Sequence, residues 1–169
     1  MTRIWDTIKE LMVELKIEKI EGIGMGIPGP VKKQETVTFF ANFPWENNLN
    51  VAELMKSVSG VNTKLDNDAN VIALGEAKYG AGKGFDSSIT VAVGTGIGGG
   101  IYVNGQLISG FSGAGGEVGH MKIVKDGKLC GCGQRGCFEA YASATGLIRE
   151  ATSRLLVNKT NAIYEALNR

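Results

Sequence analysis

The chain has 169 residues, with 18 Lys and Arg against 17 Asp and Glu, one His and a formal net charge of +1. A hydrophobic content of 43% and a charged content of 21% fit a globular chain and exclude intrinsic disorder. The balanced charge gives no electrostatic case for a nucleic-acid or membrane partner. No apolar run of about 18 residues is present, and the segment MTRIWDTIKELMVELK is charged throughout. Neither a membrane helix nor a signal peptide is therefore predicted, and the cytoplasm is the default location.

In chain order, residues 3–15 predict an amphipathic helix, with Ile4, Ile8, Leu11, Met12 and Leu15 on one face and Trp5 beside them. A strand is predicted over 20–27, ended by Pro28-Gly29-Pro30, and another over 35–40. A short helix follows at 50–57, then a strand at 62–66 that leads into a helix from about Ala69 to Tyr79. Gly80, Gly82 and Gly84 follow that helix and end it. Strands are predicted at 87–93 and 100–103, the second turning at Asn104-Gly105, a type I′ pair, into a return strand QLIS. Residues 110–119 are glycine-rich and irregular, a short strand is expected at 121–124, and helices at 139–156 and 160–168. Alternating strands and helices with hairpins give an α/β class.

Three features carry chemistry. Cys130, Cys132 and Cys137 lie within one Gly-rich turn, just after the single histidine, His120. Three soft thiolates and an imidazole make a Cys3His set, the closed four-ligand type of structural zinc site. The alternative is buried or redox-active thiols. The second feature, GTGIGGG, contains Gly94-x-Gly96-x-x-Gly99 and so fits a dinucleotide fingerprint, but a strand follows where that fingerprint needs a helix. A phosphate-holding turn around Thr95, or a plain glycine hairpin, are the readings left. The third feature is Asp66-Asn67-Asp68-Ala69-Asn70, at a strand-to-helix passage. Asp68 is either the cap of the helix or a general base, with Asn67 as a hydrogen-bonding neighbour. Glu117 and Glu139 flank the cysteine segment, either as acceptors for sugar hydroxyls or as solvated surface groups.

GMGIPGPV at 24–31, DNDAN at 66–70, GTGIGGGIYVNGQLISG at 94–110, GGEVGH at 115–120 and CGCGQRGCFEAYAS at 130–143 together resemble the ROK family of sugar kinases and sugar-sensing repressors, its bacterial glucokinases above all. The resemblance runs from about residue 20 to 156, and the pairing of E-x-G-H with C-x-C-G-x-x-G-C-x-E is specific. It implies the actin-like ATPase fold, in which two α/β lobes clasp nucleotide and substrate, and ATP-dependent phosphorylation of a hexose, with glucose as the expected substrate and Mg²⁺ on the phosphates. By the same resemblance Asp68 is the catalytic base and Asn67 contacts the sugar, while Glu117, His120 and Glu139 bind its hydroxyls. Cys130, Cys132, Cys137 and His120 hold zinc, Gly29 and Asn42 line the sugar pocket, and Gly94, Thr95 and Gly96 belong to a phosphate loop. Relatives of this kind often form homodimers.

An Asp-x-Gly-Gly-Thr phosphate loop, with which the family opens, does not occur in the sequence, nor does the later Gly-rich segment that holds adenosine. Residues 1–169 are therefore expected to be the central sugar-binding and zinc-binding part of a longer kinase, inactive alone. Two alternatives stand beside the kinase: a sugar-sensing repressor, although no helix-turn-helix is visible, and a zinc-stabilised sugar-binding segment without turnover.

Overall fold

The computed structural model describes residues 1–40 and 44–157, which divide into two units. The first unit comprises Met1–Thr90 and Gly100–Gly116; the second comprises Val91–Gly99 and the residues from Glu117 onward. The expected helix at 160–168 lies outside the described residues.

The first unit is built on a parallel pair, β1 (Ile23–Ile27) and β5 (Thr63–Asn67), in register from Ile23 opposite Thr63 to Ile27 opposite Asn67. In β1 Ile23, Met25 and Ile27 alternate with Gly24 and Gly26, so the apolar side chains share one face. Parallel strands need a crossover. Here it contains a small antiparallel sheet of β2 (Val31–Lys32), β3 (Thr36–Val37) and β4 (Leu49–Asn50), followed by α2 (Val51–Ser59). Asn50 caps α2 through a 2.9 Å bond from the Glu53 amide, and Gly60 ends it in a left-handed conformation. Ile27, Val31, Val37, Phe40, Val51, Ala52 and Leu65 form the core between these elements.

Helix α1 (Thr2–Glu14) precedes them with no buried residue, so its apolar stripe is only partly covered. Helix α3 (Asp68–Tyr79) continues directly from β5. The register of β1 and β5 sets the positions of the candidate residues. It brings the carboxyl ends of the two strands side by side, and with them Gly29 and the first turn of α3. Carboxyl ends of parallel strands are where open α/β sheets take their ligands.

A second antiparallel sheet has the order β6 (Ser88–Val93), β7 (Ile97–Val103), β8 (Gln106–Leu107). The turn into β8 has positive φ at both Asn104 and Gly105, as a type I′ turn requires. The GTGIGGG segment does join two strands, as its context predicts, and β7 begins earlier than expected, at Ile97. The predicted strand at 35–40 is reduced to Thr36–Val37, which follows a turn at Lys33 and Gln34, both with positive φ, and pairs back only with Val31–Lys32 and Leu49–Asn50.

In the second unit a single 3-10 turn, Val118–His120, leads into the cysteine loop and then α4 (Glu139–Ala142) and α5 (Ala144–Val157). The continuous helix expected over 139–156 is broken at Ser143. Its backbone is extended there, and its hydroxyl accepts from the Gly146 amide at 3.0 Å, starting a new helix. The strand expected at 121–124 is replaced by one isolated bridge, Lys122 with Cys137.

Candidate functional site

At the junction of β5 and α3 the helix cap falls to Asn67 and not to Asp68. Asn67 Oδ1 accepts from the amides of Ala69 (3.0 Å) and Asn70 (3.3 Å), and its Nδ2 donates to the Gly29 carbonyl at 3.3 Å. Gly29 and Asn67, both expected at the sugar, are thereby brought together. Most of the hydrogen-bonding capacity of Asn67 is spent inside the protein. Asp66 Oδ1 accepts from the Asn67 amide (2.7 Å) and from Asn70 Nδ2 (2.9 Å), which braces the same turn from beneath. Asp68 stands at the first helical position, exposed, with Oδ1 accepting from the Ala69 amide at 2.9 Å. Asn42 lies outside the described residues.

In the second unit the expected Cys3His set assembles. One donor atom from each of His120, Cys130, Cys132 and Cys137 lies within 4.8 Å of every other. Cys132 Sγ and Cys137 Sγ are 3.8 Å apart, and Cys130 Sγ is 3.7 Å from His120 Nδ1. The three cysteines are free, and 3.8 Å is far from the roughly 2.05 Å of a disulfide. A tetrahedron with Zn–S of about 2.3 Å has S–S edges of about 3.8 Å, so the donors fit zinc in both kind and spacing.

The loop is shaped by its backbone. The Cys130 amide donates to the Gln134 carbonyl at 2.8 Å, Gly133 to Cys130 at 3.0 Å, and Gly136 to Lys128 at 2.9 Å. Gly136 has φ +80°, and a side chain there would run into the Val124 carbonyl, so this position admits glycine alone. Burial pushes the Cys130 thiol up to about 12. The Lys122 ammonium, 3.1 Å from Cys137 Sγ, draws that thiol down to about 7.

The flanking glutamates are placed differently from each other. Glu117 is exposed, with Oε2 3.7 Å from His120 Nε2, so the two histidine nitrogens are divided between the cysteine cluster and Glu117. Glu139, in the first turn of α4, accepts from the Ile97 amide at 2.8 Å through Oε2 and from the Cys130 thiol at 3.5 Å through Oε1. A Cβ at position 96 would collide with Glu139 Oε2, so Gly96 permits that approach. Gly94 and Thr95 are exposed at the turn, which is closed by a 2.9 Å bond from the Gly94 amide to the Gly96 carbonyl. Sequence reasoning missed Lys122 and Tyr141, whose hydroxyl accepts from the Lys128 amide at 2.7 Å and supports the loop. Neither carries a motif that would single it out.

A sequence model of the ROK family matches residues 2–169. The chain is 39% identical over 148 residues to a glucokinase of Thermotoga maritima, covering 87% of this chain and 46% of that protein. It is 38% identical over 133 residues to a xylose repressor of Bacillus subtilis, covering 79% of this chain and 34% of that protein. The chain thus spans less than half the length of either relative. Among solved structures it is similar to a ROK family glucokinase from Streptomyces griseus in complex with glucose and AMPPNP, with a TM-score of 0.80 and 38% identity over 95% of this chain and 52% of that one. The fold is accordingly of the actin-like ATPase type. No helix among the described residues is long and apolar enough to cross a membrane.

Proposed function

The chain belongs to the ROK family, and from that premise we propose that it supplies the sugar-handling part of an ATP-dependent hexose kinase, with glucose as the acceptor and glucose 6-phosphate as the product. The observation that supports this reading is the division of labour at the start of α3. Asn67 satisfies the helix terminus, which leaves the exposed Asp68 carboxylate with an oxygen to spare for chemistry. A sugar hydroxyl is a poor nucleophile, and a carboxylate that accepts its proton as the oxygen–phosphorus bond forms makes it a competent one. Beyond this step, phosphoryl transfer depends on positioning and charge neutralisation.

Mg²⁺-ATP, when bound, supplies the phosphoryl group. The turn at Gly94, Thr95 and Gly96 offers a hydroxyl and backbone amides of the kind that hold phosphate oxygens. Gly29 and Asn42 are proposed pocket residues, Asn67 a sugar contact through its remaining amide hydrogen, and Glu117, His120 and Glu139 acceptors for sugar hydroxyls. Glu139 has Oε2 committed to Ile97. Its Oε1 accepts from the Cys130 thiol and would be freed of that donor if Cys130 lost its proton to solvent on holding a metal as thiolate. The metal proposed at His120, Cys130, Cys132 and Cys137 is zinc. Its role is structural, since four protein ligands leave no open position.

A sugar-responsive repressor is the second reading, favoured by the similarity to the Bacillus subtilis xylose repressor. Assays on the whole protein that contains this chain separate the two. Glucose-dependent release of ADP from ATP supports the kinase. Sugar-sensitive binding to operator DNA without ADP release would replace it with the repressor.

A further inference from the structure

We propose that Lys122 is a positioning residue of the metal centre, whose ammonium holds the Cys137 sulfur in place and offsets the surplus negative charge of a Cys3His zinc site. The proposal rests on the metal reading above. Lys122 Nζ lies 3.1 Å from Cys137 Sγ, a charge-assisted hydrogen bond to sulfur.

This contact is built into the backbone. Lys122 and Cys137 are the two partners of an antiparallel bridge. On either side of it the Phe138 amide donates to the Met121 carbonyl and the Ile123 amide to the Gly136 carbonyl, both at 2.9 Å. Side chains directly opposite in such a pair emerge on the same face. The lysine is therefore delivered to the sulfur by register, and its long stem needs to find nothing by chance.

The charges ask for such a group. Zn²⁺, three thiolates and a neutral imidazole sum to one net negative charge. The carboxylates facing the cluster make the surplus larger: Glu139 Oε1 lies 3.5 Å from Cys130 Sγ, and Glu117 Oε2 lies 3.7 Å from His120 Nε2. Lys122 supplies the opposite sign at the remaining buried sulfur. An N–H···S bond also draws electron density from the thiolate. It fixes the direction in which that sulfur points, and orienting the ligands is what outer-shell partners commonly do at metal sites.

The test uses the whole 169-residue chain, loaded with zinc under reducing conditions and titrated with a chromophoric chelator. Lys122→Met should lower zinc affinity by about 10- to 100-fold, the usual effect of removing an outer-shell partner. Lys122→Arg should restore most of it, and Lys125→Met, on an exposed neighbour in the same loop, should match the wild type. In the cobalt-loaded protein Lys122→Met should move the thiolate-to-metal charge-transfer band to longer wavelength. If Lys122→Met does not fold, the cobalt spectrum and zinc titration of Lys122→Gln decide in the same way. Wild-type zinc affinity and an unshifted cobalt band in the neutral variants would overturn the role of Lys122 and leave the metal centre standing. A wild-type chain that takes up no zinc would overturn the metal reading and this proposal together.

Discussion

Glu139 Oε2 accepts from the Ile97 amide at 2.8 Å, while the other oxygen of the same carboxylate faces the Cys130 sulfur. One side chain thus ties the residue that opens β7, just past the glycine turn, to the loop that carries the cysteines. The turn owes its position to this carboxylate, and Gly96 is the residue whose missing Cβ lets the carboxylate reach it.

Removing that tie should be visible at one amide. Glu139→Ala should speed hydrogen exchange at Ile97 by about tenfold or more, because a hydrogen bond to a charged acceptor contributes about 1.5–3 kcal/mol. Gly96→Ala should do the same by pushing the carboxylate away, while Glu139→Gln, which keeps an acceptor oxygen, should retain most of the protection. Unchanged exchange in Glu139→Ala would remove the coupling between α4 and the glycine turn.

Metal analysis of the chain purified without added zinc should give about one zinc per chain. Its removal by a chelator should lower the melting temperature and open the segment from Glu117 to Glu139 to proteolysis, since metal binding and local folding are coupled. Cys132→Ser, at the exposed cysteine, should lose most of the zinc without disturbing the core around Val37 and Val51. A stoichiometric disulfide in a reduced preparation would end the metal assignment.

The two residues at the start of α3 should separate cleanly. Asn67→Ala should cost about 1 kcal/mol of stability in urea denaturation, the usual loss for a missing cap. Asp68→Asn should cost only a few tenths, from the helix dipole. In the whole protein Asp68→Asn should keep sugar binding and lose about 10²–10⁴-fold in turnover, because the amide cannot take the proton. Near-normal turnover in that variant would leave Asp68 with a structural role alone.

The ion pairs of α5 set a pH dependence. The Lys128 ammonium, followed by the Arg154 guanidinium, holds the Glu150 carboxyl below its ordinary value. The folded chain then binds fewer protons here than the unfolded one. The contribution is present above the ordinary carboxylate range and is lost as pH falls through the lowered value. Melting temperatures of the wild type and Glu150→Gln should differ slightly at neutral pH and converge in acid. A gap that widens on acidification would contradict the assignment.

The Cys3His cluster was legible because four ligands in one short span serve few purposes besides metal, and the β6–β7 passage was legible because no helix follows the glycines. The cap was not. Asp66, Asn67 and Asp68 are all good cap residues, and only the register of β5 against β1 decides that the helix begins after Asn67. The break at Ser143 was hidden because the periodicity of α4 and α5 runs on across it. The Lys33-Gln34 turn was hidden because neither residue advertises positive φ. The Lys122–Cys137 contact depends on a single isolated bridge, too short to leave an alternating pattern.

The spacing of the cluster also bears on the order of assembly. His120 and Cys137 are close along the chain, so gathering the metal ligands closes only a short loop, whereas β1 must await β5, with Ile23 pairing Thr63 across the whole crossover. Loop-closure entropy grows with the length closed, and contacts between distant residues form slowly. A zinc ion can therefore organise its loop before the parallel pair forms. On the ribosome the strands of the parallel pair emerge first, and the cysteine loop, made after them, has the shorter closure to complete.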